Sequence, residues 1–219
     1  MVEAVLFDLD GTFADTAPDL GAALNRMLRE DDRPEVPIPV LRPYASHGVR
    51  GLLGVGYGVS RQDERYGELT GRFLDYYAQS LCVKTALFAG IPETLEALRC
   101  SGLRWGIVTN KRQRYTLPLL DSLGYARTCG CMVSGDSAPR PKPSPAPLLL
   151  ASRLLGVEPE RCVYVGDDAR DMEAARAAGM HAVAAAYGYL GAGAPIEDWQ
   201  ADRIIAAPRE LLELVGLAG

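Results

Sequence analysis

Short apolar runs, separated by longer amphipathic stretches, set the pattern of this chain. Ala4-Val-Leu-Phe7 is rich in strand formers and ends abruptly in Asp8-Leu-Asp10-Gly11-Thr12. A short run closed by polar turn residues predicts a buried strand opening into a loop. Similar runs stand at Leu103–Val108, Cys131–Val133, Cys162–Val165, Ala182–Ala185 and Arg203–Ala206. Helical spacing fills the gaps: Ile91, Leu95 and Leu98 within 91–100, and Tyr115, Leu119, Leu120 and Leu123 within 115–123. Further helices are predicted over 148–155, 171–178 and 208–215. Strand and helix in alternation predict an α/β fold, a Rossmann-like parallel sheet with helices on both faces.

One interval breaks the alternation. Roughly ninety residues separate Asp10 from the second strand near Leu103, where a crossover between parallel strands needs only about a dozen. Leu20, Ala23, Leu24, Met27 and Leu28 share one helical face; Tyr66, Leu69, Phe73, Tyr76 and Tyr77 share another. The spacing predicts a small helical cap over residues 16–81, inserted into a core made of 1–15 and 82–219. Arg33–Pro39 reads as a turn inside the cap and Pro139–Pro147 as a stiff loop of the core.

Composition narrows the function. The chain has 219 residues, 48% of them apolar and 23% charged, with a net charge of −5. These proportions belong to a globular protein and exclude wholesale disorder. An acidic balance lacks the electrostatic footprint of a general nucleic-acid binder. No apolar run is long enough to span a membrane, and the N-terminus lacks the basic region of a signal peptide. The five cysteines are odd in number and form no CxxC pair, which fits reduced thiols in a cytoplasmic protein. Only three lysines, Lys84, Lys111 and Lys142, stand against twenty arginines.

The candidate chemistry lies at strand ends. Asp8 and Asp10 close the first strand; Asp167, Asp168 and Asp171 follow the fourth. In a 3-2-1-4-5 strand order these two strands are neighbours, and ligands bind outside the carboxyl ends of such sheets. Carboxylates gathered there repel unless a cation neutralises them, and hard oxygen ligands favour Mg²⁺. Thr109-Asn110 ends the second strand, where a hydroxyl and backbone amides suit a phosphate oxygen; a helix N-cap explains the pair about as well. Lys142 is flanked by prolines on both sides, as a fixed ammonium requires. Lys111, Arg112 and Arg114 are most simply a solvated turn at a helix start, with Lys111 near enough to the second motif to help hold an anion. The glycines of Gly51–Gly58 match no dinucleotide fingerprint and no clear strand precedes them.

Taken in order, these residues resemble the haloacid dehalogenase-type phosphatase superfamily. Its four motifs match Asp8-Leu-Asp-Gly-Thr12 extended by Asp15, then Thr109-Asn110, then Lys142, then Gly166-Asp-Asp-Ala-Arg-Asp171. The resemblance implies that Asp8 is the nucleophile and forms an aspartyl-phosphate, while Asp10 protonates the leaving oxygen and then activates water. It implies Mg²⁺ held by Asp8, the Asp10 backbone carbonyl and Asp167, with Asp168 and Asp171 orienting that shell. Gly11, Thr109, Asn110 and Lys142 would bind the phosphoryl group. Asp10 separates phosphoryl chemistry from dehalogenation, because dehalogenating members lack this second carboxylate. Phe13 stands where leucine is more usual, a packing change.

The cap resembles that of phosphoglycolate phosphatases, whereas Leu103–Lys111 and Tyr187-Gly-Tyr189 resemble the N-acetylmuramic acid 6-phosphate phosphatases. Ser46, His47, Gly48 and Arg50 form a polar turn that either reaches the site to choose the substrate or simply joins two helices. The expected partner is a small phosphomonoester, and the expected state a monomer or homodimer. A non-catalytic binding module of the same fold would have lost a nucleophile, acid or metal residue, and none is missing. A mutase differs only in water access, which a sequence does not display.

Overall fold

A computed structural model describes residues 1–217. Its main sheet is built from β1 (Ala4–Phe7), β4 (Arg104–Val108), β5 (Cys131–Val133), β6 (Cys162–Gly166), β7 (His181–Ala185) and β8 (Arg203–Ile205). The spatial order is β5-β4-β1-β6-β7-β8, and every pairing is parallel. The four residues of β1 are fully buried because neighbours flank them on both sides and helices cover both faces. Such strands read as continuous apolar runs rather than alternating ones. One face packs Leu6, Val108, Tyr164 and Ala184 against α7 (Ala146–Leu155) and α8 (Ala169–Ala177). The other packs Phe7, Ile107 and Val165 against α5 (Ile91–Cys100) and α6 (Gln113–Ser122), and a short α9 (Leu211–Leu214) joins that face. Phe13 stacks on Trp105 with ring centroids 5.7 Å apart, the packing substitution its sequence position implies.

Four helices occupy the long interval: α1 (Ala17–Glu30), α2 (Ile38–Ala45), α3 (Gly48–Tyr57) and α4 (Tyr66–Gln79). Leu20, Leu24, Met27 and Leu28 of α1 face Leu41, Leu52, Leu53, Phe73 and Tyr77 in one apolar cluster, which also takes in Tyr115 and Tyr189 from the sheet side. The chain leaves and returns through a two-stranded antiparallel pair, β2 (Ala14–Asp15) with β3 (Ala86–Leu87). Strands this short carry no periodicity, so the sequence did not reveal them. The return segment is clipped by Asp19 of α1, buried, which accepts from the main-chain N–H groups of Val83, Lys84 and Thr85 and from the Thr85 hydroxyl.

Two local expectations are revised. The Pro-rich turn ends one residue before Ile38, and Pro39 sits in the first turn of α2, where its missing N–H costs nothing. The polar turn at 46–50 is shorter than its sequence implies. Ser46 and His47 alone lie between helices, while Gly48 and Arg50 already belong to α3. The glycines of α3 permit close helix packing: a Cβ on Gly51 would meet the Tyr44 carbonyl at 2.4 Å, and one on Gly56 would meet Leu24 at 2.9 Å. No helix among the described residues is long and apolar enough to cross a membrane, and all five cysteines are free thiols.

Candidate active site

Parallel register brings the site together. Phe7 is level with Val165 on one side and Ile107 on the other, so the residues that follow, Asp8, Asp167 and Thr109, emerge at one edge of the sheet. Carboxylate oxygens of Asp8, Asp167 and Asp171 lie within 4.8 Å of one another. Asp168 and Asp171 are placed by a capping box at the start of α8: the Asp168 side chain accepts from Arg170 N–H, and the Asp171 side chain accepts from Asp168 N–H. This satisfies two of the helix's orphan donors while aiming Asp171 inward.

Lys142 ties the cluster. Its ammonium lies 2.9 Å from Asp8 and 2.7 Å from Asp171, and it donates to Tyr164 Oη at 2.6 Å and the Val108 carbonyl at 3.1 Å. Its main chain is held by the Asn110 amide, which donates to Lys142 O and accepts from Lys142 N. The Asn110 side chain therefore positions Lys142. Thr109 is buried, and its hydroxyl accepts from Lys111 N–H. Burial penalises the Lys142 ammonium, yet Asp171 and Asp8 outweigh it and raise its pKa. Asp171 is shifted the opposite way for a carboxylate, upward, by burial and by Asp8, with Lys142 opposing.

Asp167 is fully buried, and its carboxyl is pushed well above the ordinary carboxylate range by burial and by the charges of Asp8 and Asp171. It accepts from Thr12 Oγ1, Tyr189 N–H and Ser46 Oγ. Glycine is obligatory around it. A Cβ on Gly11, whose φ is +88°, would stand 2.2 Å from Asp167 Oδ2, and one on Gly188 would stand 2.3 Å from the Asp167 Cβ. The residues present fit a divalent cation: three carboxylates converge, Asp167 carries unrelieved repulsion, and buried Asp8 Oδ1 accepts no well-aligned hydrogen bond despite the ammonium nearby.

Asp10 stands apart from that cluster. Lys111 Nζ lies 2.9 and 3.0 Å from its two oxygens, and Thr16 Oγ1 donates to it at 2.5 Å. The Lys111 side chain is only 8% exposed, which corrects the solvated turn expected from its charged neighbours. Burial works against its charge, but Asp10 outweighs burial and the pKa is raised. Two tyrosines were given no site role from the sequence: Tyr164, which looks like an ordinary strand residue, and Tyr189, noted only for a family resemblance. Tyr164 bonds Lys142, and Tyr189 Oη accepts from the main-chain N–H groups of Thr16 and Ala17.

The turn between α2 and α3 brings the helical roof onto the carboxylate cluster. Ser46 reaches Asp167, and His47 Nε2 lies 3.5 Å from Asp168, which also pairs with Arg170 at 2.8 Å. Although burial opposes it, His47 and Arg170 hold the Asp168 carboxyl well below the usual range. Arg170 in turn donates to the Ser46 carbonyl. Gly48 offers only backbone with open space around its Cβ position, and Arg50 is exposed on α3.

A parallel sheet with a lysine-bridged carboxylate cluster at its strand ends, under a helical roof, defines the class. The family model for haloacid dehalogenase-like hydrolases matches residues 5–185, and the chain belongs to that family. It is 40% identical over 217 residues to an N-acetylmuramic acid 6-phosphate phosphatase of Pseudomonas aeruginosa, covering 99% of this chain and 96% of that protein. It is 44% identical over 211 residues to a phosphoglycolate phosphatase of Xanthomonas campestris pv. campestris, covering 96% and 95%. Among solved structures, a predicted phosphoglycolate phosphatase from Haemophilus somnus superposes with a TM-score of 0.86 at 28% identity, over 98% of both chains.

Proposed function

We propose that this protein is a Mg²⁺-dependent phosphomonoesterase that cleaves a small carboxylated phosphate ester through an aspartyl-phosphate on Asp8. The observation that carries the reading is the division of labour between two carboxylates. Asp8 lies in the charged cluster with Asp167, Asp171 and Lys142, while Asp10 is held separately by Lys111 and Thr16. A carboxylate oxygen of Asp8 attacks phosphorus, the bond to the leaving oxygen breaks, and Asp10 gives that oxygen a proton. Water then attacks the acyl phosphate, Asp10 takes its proton, and the Asp8 carboxylate and inorganic phosphate are released. Lys142, Thr109 and the backbone at Gly11 and Asn110 hold the phosphoryl oxygens, with Lys142 matched to the charge that develops during transfer.

Asp8, the Asp10 main-chain carbonyl and Asp167 would hold Mg²⁺, with Asp168 and Asp171 orienting the shell. When bound, the ion neutralises the carboxylates and polarises the phosphoryl group. The core is assigned to residues 1–15 and 82–219, of which 218–219 lie outside the described residues, and the cap, with Ser46, His47, Gly48 and Arg50 facing substrate, to 16–81. Phosphoglycolate is the first candidate substrate. N-acetylmuramic acid 6-phosphate is the second, favoured by the full-length match to a phosphatase of that name. Both carry a carboxylate. Five free thiols fit the reducing cytoplasm.

A panel of phosphomonoesters assayed for phosphate release with added Mg²⁺ tests the reading. Turnover of one of the two carboxylated esters, lost on chelation and restored by Mg²⁺, is the expected result. No release from any ester, or full activity in excess chelator, overturns it.

A further inference from the structure

We propose that Lys111 is a positioning residue for the acid–base carboxylate: it fixes the rotamer of Asp10 so that the proton it carries is delivered to the leaving oxygen. The inference rests on the reading of Asp10 given above. It begins from a geometric contrast. Asp171 is tethered to Lys142, and Asp167 to Thr12, Tyr189 and Ser46, but Asp10 lies outside their cluster and needs a holder of its own. Lys111 supplies it in a two-oxygen contact at 2.9 and 3.0 Å. Thr16, at the mouth of α1, also donates to Asp10 Oδ1, and its own N–H is anchored on Tyr189. The carboxylate is thereby pinned between the sheet edge and the hinge of the roof.

The roof also encloses the lysine. Tyr77 of α4 places its ring centroid 4.8 Å from the Lys111 ammonium and packs on Tyr115 of α6 at 5.8 Å. Tyr77 is 1% exposed and the Lys111 side chain 8%, so the ammonium is enclosed beneath an aromatic ring. In that setting the two-oxygen contact fixes the direction of the carboxyl group. A displacement of about 1 Å at a reacting group costs on the order of a hundredfold in rate, which is the scale available to a positioning residue.

The test separates proton delivery from phosphate binding. Lys111→Met and Lys111→Gln are compared with wild type on two esters: 4-nitrophenyl phosphate, whose leaving group departs without a proton, and the alkyl ester that wild type hydrolyses fastest. kcat/KM reports only the steps up to transfer to Asp8. The expected result is a rise of tenfold or more in the ratio of aryl to alkyl kcat/KM, in each variant that retains activity. Because the ratio is taken within one preparation, unfolded protein cancels, and the glutamine variant serves if the methionine variant does not fold. A ratio that stays within threefold of wild type, or that falls, overturns the role of Lys111. Wild type inactive on every ester would fail the functional reading instead, and the two failures are distinct.

Discussion

Two of the three lysines are buried ion-pair partners, and they differ in how they came to be so. Lys142 belongs to the sheet edge alone. Its partners Asp8, Asp171, Tyr164 and Val108 O come from the end of β1, from β4 and β6, and from the first turn of α8. Lys111 is completed by the roof: Asp10 and Thr16 lie at the hinge, and Tyr77 descends from α4. The first site exists once the parallel sheet has its register. The second requires two layers to close on each other. On the proposed reading the lesson concerns function as well as folding, because the nucleophile and its lysine are built on the sheet half, while proton delivery and substrate choice stand where the halves meet.

The sharpest way to break this comparison is to remove its fixed point. Asp8→Asn is nearly isosteric but has no nucleophilic carboxylate, so turnover should fall below about one hundredth of wild type while the thermal unfolding profile persists. Steady-state phosphate release and a melting curve measure both. Residual turnover above that level would move the nucleophile elsewhere and leave Lys142 as a structural cation.

Next in size is Lys142→Ala. Removing one partner of a buried ion pair costs about 3–5 kcal/mol of stability because the other charge is left uncompensated; here Asp8 and Asp171 are left facing each other. Turnover should fall by about a hundredfold or more, in kcat rather than in KM, since a fixed ammonium acts most where charge rearranges. Urea unfolding and initial rates with Mg²⁺ present measure the two effects. Unchanged kcat would make Lys142 a folding residue, and the contrast with Lys111 would lose its functional half.

The same contrast explains what was legible in the sequence. β1, β5 and α5 fall on the residues their apolar patterns predict, and the site carboxylates stand at the predicted strand ends, because buried parallel strands and polar strand termini are written in contiguous residues. Lys142 was visible through its flanking prolines. Lys111 was not, since its neighbours Arg112 and Arg114 are charged and exposed and its own burial depends on Tyr77, thirty-four positions away in chain and in another layer. Asn110 was legible as a motif residue but not as a clamp on Lys142, for the two lie 32 positions apart with α6 and β5 between them. The β2–β3 pair and the helical state of Gly48–Tyr57 were hidden for local reasons, two-residue strands in one case and glycines chosen for helix approach in the other.

The smallest effect tests the roof itself. On the proposed reading the core motif residues hold the phosphoryl group, so discrimination between carboxylated esters is expected from the side that faces the leaving group. Ser46 and His47 are already engaged with Asp167 and Asp168, which leaves Arg50, one helical turn on and exposed, as the cation of that segment with its guanidinium uncommitted to any ion pair among the described residues. A guanidinium pairs with a carboxylate in a forked geometry, but an exposed pair is worth only about 0.2–1 kcal/mol. Arg50→Ala should therefore lower kcat/KM for the carboxylated substrate by no more than roughly fivefold, the rate equivalent of that energy. It should leave 4-nitrophenyl phosphate unchanged, because that ester has no carboxylate to lose. Equal losses on both esters would show that Arg50 supports the roof rather than reads the substrate. No loss on either would move selection to Ser46 and His47, and the boundary between the two halves would then lie wholly within the α2–α3 turn.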